Sequence, residues 1–163
     1  MDKLAADTQP KNLTEAQQKS AVNILTRALA DEYVLYTKTR NYHWNVTGPR
    51  FHDLHKLFES QYEILDEKID ELAEFIRYFG HPTPATLAGF LSRTHLQEHP
   101  SGEVASEYMV KALLADHEHL IQHLRAAVAT LESDDGPVEV TDLLTGLIAD
   151  HGKMAWILRS TAQ

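Results

Sequence analysis

Four stretches of this chain repeat their apolar residues every three or four positions, and no segment alternates apolar and polar at every second residue. The first carries Val22, Leu25, Leu29, Tyr33 and Tyr36, widened by Ile24 and Leu35, and meets no breaker before Thr47-Gly48-Pro49. That period belongs to a helix with one buried face, so the segment is expected to be helical for roughly 30 residues. Thr14 starts it, because Gln17 three residues later completes a capping-box pattern. The second stretch runs from about Phe51 to Phe79 with Leu54, Leu57, Phe58, Leu65, Ile69, Leu72, Phe75 and Ile76 in its stripe. Gly80 and Pro82 end it, the glycine as a left-handed cap and the proline by forbidding continuation. The third covers about Val104 to Leu131 and the fourth about Val138 to Ser160, separated by the loop Glu132-Ser133-Asp134-Asp135-Gly136-Pro137.

Between the second and third long helices lies a connection from His81 to Gly102 with three prolines, whose middle, Thr86 to Arg93, can form a short helix. Four long helices with one long crossover define an all-α chain, a ferritin-like four-helix bundle with a short helix in the crossover. A chain of 163 residues suits one such domain. The bundle is expected to occupy residues 14–163. Residues 1–13 mix charges, carry Pro10 and show no apolar period, and are read as a flexible N-terminal arm.

Composition removes several kinds of chemistry. Without cysteine there is no disulfide, thiolate metal site or cysteine nucleophile. The N-terminal segment has no signal-peptide core, and no apolar run approaches the ~18 residues of a membrane helix, so the expected location is cytoplasmic. A net charge of −9 argues against a surface built chiefly to hold phosphates and suits cation partners. Ten histidines in so short a chain direct attention to metal or proton chemistry.

An ordinary di-iron bundle uses Glu-x-x-His motifs that project into its core. No glutamate here is followed three residues later by histidine, so that site is not expected. Other ligands gather near the first turn: His43 at the end of the first helix, His55 at the start of the second, and Glu59 one turn beyond His55 on the same face. Farther along the second helix, Asp70 and Glu74 form another pair four residues apart. At a rise of about 1.5 Å per residue, His55 and Asp70 lie about 22 Å apart along the axis, whereas metal–ligand bonds are about 2 Å. One straight helix cannot bring both to one ion. Two copies of that helix packed antiparallel about a two-fold, centred near residues 62–65, bring His55 of each beside Asp70 and Glu74 of the other. Nitrogen with carboxylate suits redox iron better than calcium or magnesium, and zinc or manganese also fits.

The pattern His43-Trp44-Asn45 with Gly48 and Phe51, then His55, Glu59, Asp70 and Glu74, resembles the Dps family of mini-ferritins. The His–x11–His and Asp–x3–Glu spacings are both met, and the likeness extends to the closing segment Asp150 to Ser160. The resemblance implies a hollow homododecamer with ferroxidase sites at two-fold interfaces. His43 and His55 would come from one subunit and Asp70 and Glu74 from its mate, with Glu59 as a bridging or second-position ligand. Trp44 would stand beside the site as an electron donor. It further implies Fe(II) oxidation by hydrogen peroxide or dioxygen and storage of ferric oxide in the cavity; the metal is iron, and no haem is expected, since no methionine stands at an evident two-fold position. The competing reading is a nucleoid structural protein that binds and protects DNA. Against it, the arm sets Lys3 and Lys11 against Asp2 and Asp7, and no basic tail follows the last helix. A third reading is a different two-metal or zinc-binding helical bundle.

Other residues receive quieter expectations. His117, His119 and His123 are read as cavity-lining or solvated, with His119 and His123 able to share a second metal. His52 is read as a surface residue, and His151 as a structural hydrogen-bonding group. The resemblance implies that some of Glu132, Asp134, Asp135 and Asp142, which flank the loop before the fourth helix, line a three-fold pore that draws cations inward. Met154 and Trp156 are assigned to core or interface.

Overall fold

The computed structural model describes residues 12–99 and 102–162. Most of the expected arm, residues 1–11, lies outside the described residues. The rest is all-helical: α1 (Glu15–Asn45), α2 (Phe51–Tyr78), α3 (Leu87–Leu91), α4 (Ser106–Ser133) and α5 (Val138–Thr161), with no strand among the described residues. This is the four-helix bundle with a short crossover helix that the apolar period called for.

The capping box forms as expected. The Thr14 hydroxyl accepts from the Gln17 N–H, and the Gln17 side chain accepts from the Thr14 N–H. The same Gln17 amide donates to the carbonyls of Asp134 and Asp135, so one residue both starts α1 and ties it to the loop between α4 and α5. Gly80 closes α2 at φ +79°, a left-handed conformation that glycine adopts without steric cost. Its N–H donates to Arg77 and that of His81 to Ile76, which satisfies carbonyls the helix end leaves open.

The crossover then travels the length of the bundle. Phe90 in α3 stacks on Tyr33 of α1 (4.2 Å between ring centroids), and His99 reaches the hydroxyl of Tyr42 near the end of α1. α4 can therefore start beside the end of α1 and run back along it, and Lys38 of α1 pairs with Asp116 of α4 at 2.7 Å. Burial raises the Asp116 carboxyl, and the ion pair with Lys38 opposes that rise.

The buried side chains fall into two apolar groups. One joins Ala21, Leu25 and Leu29 to Leu72, Ile76, Phe79, Leu131 and Leu144; the other joins Leu35 and Tyr42 to Leu54, Phe58, Leu65, Leu113, Leu120 and Leu158. Between them sits a polar layer from three helices, Glu32, His117 and His151, each at most 1% exposed. The two Nδ1 atoms of His117 and His151 share a hydrogen bond at 2.8 Å, and His151 Nε2 donates to Glu32 Oε1 at 2.6 Å. His117 thus departs from the solvated or cavity-lining role expected for it. It occupies the inner stripe of α4 between Leu113 and Leu120, where only a partnered imidazole is tolerated. His151 has the structural role expected of it.

Burial, and then the facing His151, push the His117 pKa well below its ordinary 6.5. The unfolded chain accepts a proton there as pH falls through about 6.5, while the folded chain does not until lower pH. Folding stability is therefore expected to drop below pH 6.5 by about 1.4 kcal/mol per pH unit from this residue alone. Urea midpoints at pH 7.5 and 5.5 measure it. His117→Leu should flatten the slope, and an unchanged slope in that variant would exclude His117 as its source.

Candidate metal centre

Five residues, Val46 to Arg50, turn α1 into α2. The Val46 N–H caps α1 on Tyr42, and the Phe51 N–H donates to Gly48. Gly48 has φ +99° with open space where a Cβ would stand, so the demand for glycine there is conformational, not steric. The tight hairpin lays the last turn of α1 against the first turns of α2.

His43 and His55 consequently meet face to face, with ring centroids 3.8 Å apart and planes 19° from parallel. Their second contact is reciprocal. His43 Nδ1 lies 2.8 Å from the His55 carbonyl, and His55 Nδ1 lies 2.8 Å from the His43 carbonyl. A carbonyl oxygen only accepts, so both Nδ1 atoms carry the proton. In the neutral rings both Nε2 lone pairs are then left free for a Lewis acid. Orienting an imidazole through its non-ligating nitrogen is how proteins prepare a metal ligand.

The surroundings support that preparation. Phe51 stacks on His55 at 5.1 Å, and Tyr62 sets its edge on His43 at 5.2 Å. Tyr62 was not picked out from the sequence, although its place seven residues after His55 puts it on the same face of α2. Arg40, also missed, projects its guanidinium over Tyr62 (4.8 Å), Trp44 (5.1 Å) and Tyr36 (5.5 Å) and donates to the Tyr36 hydroxyl. Trp44 adjoins His43 in sequence and is 64% exposed, its ring beside Arg40.

The carboxylates are placed differently. Glu59 is held by Lys56 at 2.5 Å, and that hydrogen bond is the leading reason its pKa falls, with His43 and His55 adding smaller contributions. Asp70 and Glu74 stand exposed on α2, about 22 Å from His55 along the axis in the case of Asp70. Among the described residues, no three histidine, aspartate or glutamate side chains of one chain are arranged to hold a metal ion. The hairpin supplies two aimed nitrogens, and among the described residues no third such side chain of the same chain completes a site with them.

Elsewhere, His52 is exposed beside Asp53, as expected for a surface residue. Glu132, Asp134, Asp135 and Asp142 are all exposed around the α4–α5 loop. Met154 is in the core, whereas Trp156 is 64% exposed in the single chain, which removes it from the core and leaves the interface reading. No helix among the described residues is long and apolar enough to cross a membrane.

Residues 22–163 match the family model described as ferritin-like domain. A low temperature-induced protein of Nostoc sp., itself uncharacterized, is 41% identical over 91% of this chain and 83% of its own length. The DNA protection during starvation protein of Brevibacillus brevis is 38% identical over 90% of this chain and 97% of its own. Among solved structures, the Dps protein of Vibrio cholerae O1, described as a member of a broad superfamily of ferritin-like diiron-carboxylate proteins, superposes with a TM-score of 0.86. That pair is 28% identical, over 96% of this chain and 98% of the other.

Proposed function

Since the chain belongs to the ferritin-like domain family and, within it, to the Dps mini-ferritins, we propose that it is a ferroxidase. In this reading it oxidises Fe(II), with hydrogen peroxide as the favoured oxidant, at sites shared between two copies. The ferric product is kept in a hollow homododecamer in the cytoplasm. The observation that carries the reading is the reciprocal His43–His55 contact, which leaves two Nε2 atoms ready for a cation, while among the described residues of the chain no third ligand completes the site.

Iron is the substrate. His43 and His55 of one subunit bind Fe(II) together with Asp70 and Glu74 of the other, and Glu59 holds a second position or bridges. The carboxylates favour Fe(III) over Fe(II), which lowers the cost of removing an electron. Peroxide accepts two electrons and each Fe(II) gives one, so two ferrous ions are consumed for each peroxide and no hydroxyl radical is released. Trp44, exposed beside the pair and covered on one side by Arg40, supplies an electron when a second ferrous ion is lacking. Haem has no part in this reading, and neither does DNA: the chain's net charge of −9 disfavours the counterion release that drives phosphate binding.

Stopped-flow absorbance of the ferric product, followed by gel filtration, tests the proposal. The protein should clear Fe(II) with peroxide far faster than buffer does and carry the ferric iron with it through the column. His43→Ala with His55→Ala should bring the rate down about 100-fold or more, as the loss of metal ligands predicts. Iron that precipitates free of the protein, or a double variant as fast as the parent, would overturn it.

A further inference from the structure

A second group of histidines lies on another face of the molecule, where α1, the crossover and α4 meet. His119 and His123 of α4 are one helical turn apart, and their Nε2 atoms stand 2.9 Å from each other. His95 of the crossover lies flat on His123, with ring centroids 4.1 Å apart and planes 14° from parallel. His95 is held from behind by Asp31, which is 2% exposed. The Asp31 carboxylate accepts from the His95 ring Nδ1–H (2.9 Å), from the His95 backbone N–H (2.6 Å) and from the Thr94 hydroxyl (2.7 Å). With Nδ1 protonated, the neutral His95 ring has its lone pair on Nε2.

We propose that His119 and His123 form a two-nitrogen site for a late first-row divalent cation of the copper or zinc class, separate from the iron centre, with His95 as a flanking imidazole positioned by Asp31. Two imidazoles one turn apart chelate such an ion with water in the remaining positions. Imidazole ligands without a carboxylate among them select copper, nickel and zinc over ferrous iron, which stands lower in the divalent affinity order. Burial and the neighbouring His95 and His119 also keep the His123 ring neutral, so its lone pair is available. Among the described residues no acidic side chain forms an ion pair with His119 or His123: Asp116, which lies near His119, is paired with Lys38, and Asp31, which opposes the fall of the His123 pKa, is bonded to His95. Asp31 holding His95 repeats the carboxylate–imidazole arrangement that orients metal-binding histidines elsewhere. The iron centre is remote, since Asp31 and His43 are about 18 Å apart along α1.

A plain N–H···N hydrogen bond also accounts for the 2.9 Å separation, so the test must read the metal. Full-length protein is titrated with Cu(II) and followed by electron paramagnetic resonance and calorimetry. The comparison is with His119→Gln/His123→Gln and, separately, with His43→Ala/His55→Ala. The parent should show a copper signal with nitrogen splitting. The His119/His123 variant, which leaves the buried core untouched, should lose one copper equivalent per chain together with that site's part of the signal. The His43/His55 variant should retain both. His95→Gln should weaken the site about tenfold, as the loss of a flanking group does. Unchanged stoichiometry and spectrum in the His119/His123 variant, or loss of this copper in the His43/His55 variant, would overturn the proposal.

Discussion

Glu32→Ala should lower the stability of this chain by about 1–3 kcal/mol, the cost of leaving a buried donor without its acceptor. For a chain of this length the thermal midpoint falls by roughly 2–4 °C per kcal/mol, so a drop of about 2–12 °C is expected. Glu32 is 1% exposed and is the acceptor for His151 Nε2, whose ring in turn bonds His117. Alanine would leave that donor without a partner and strand both imidazoles between two apolar layers. The layer is already under-satisfied, because among the described residues Glu32 Oε2 and His117 Nε2 have no partner. Glu32→Gln keeps an acceptor oxygen of the same shape and should cost only about 1 kcal/mol, the value of an ordinary hydrogen bond. Replacing Glu32, His117 and His151 together by leucine should recover most of the loss, since apolar residues in place of a buried ionic group are often neutral or better. Scanning calorimetry at one protein concentration, which fixes the contribution of assembly, reads all three variants. A Glu32→Ala midpoint within about 1 °C of the parent would contradict the importance given to the layer.

The same layer marks the limit of what the sequence disclosed. The helices and their ends were legible because capping, glycine and apolar period are local properties: Thr14 with Gln17, Gly48 and Gly80 did what their types dictate. Glu32 and His117 were misjudged or passed over because a charged or titratable residue is usually solvated. A signal was nevertheless present, since His117 falls in step with Leu113, Leu120 and Leu124, and His151 with Leu147, Met154 and Leu158. A stripe that runs through a polar residue without shifting face indicates a partnered core group. At the candidate site, His43 and His55 were found from their places on either side of a short turn. Their Nδ1–carbonyl exchange was not, because backbone partners leave no mark in residue identity. Tyr62 and Arg40 were missed for a related reason: their contacts connect α1 to α2, and periodicity within one helix does not report them. Trp156 shows the converse, an apolar residue exposed in the single chain, whose covering partner, if another copy, has no signature within the chain.

The central claim is that the iron centre takes its nitrogens from one chain and its carboxylates from another, and mixed assemblies test it directly. One variant carries His43→Ala and His55→Ala, the other Asp70→Asn and Glu74→Gln. Alone, each should oxidise Fe(II) about 100-fold or more slowly than the parent. Co-assembled from equal amounts of unfolded chains, half of the two-fold pairs contain one chain of each kind. Each mixed pair holds one site with all its ligands and one that lacks both histidines, the aspartate and the glutamate that were replaced. About a quarter of all sites are then complete, and stopped-flow oxidation should recover to about that share of the parent rate. Sites built within a single chain would gain nothing from mixing. A co-assembled sample no faster than the sum of its two inactive parents would contradict the shared site.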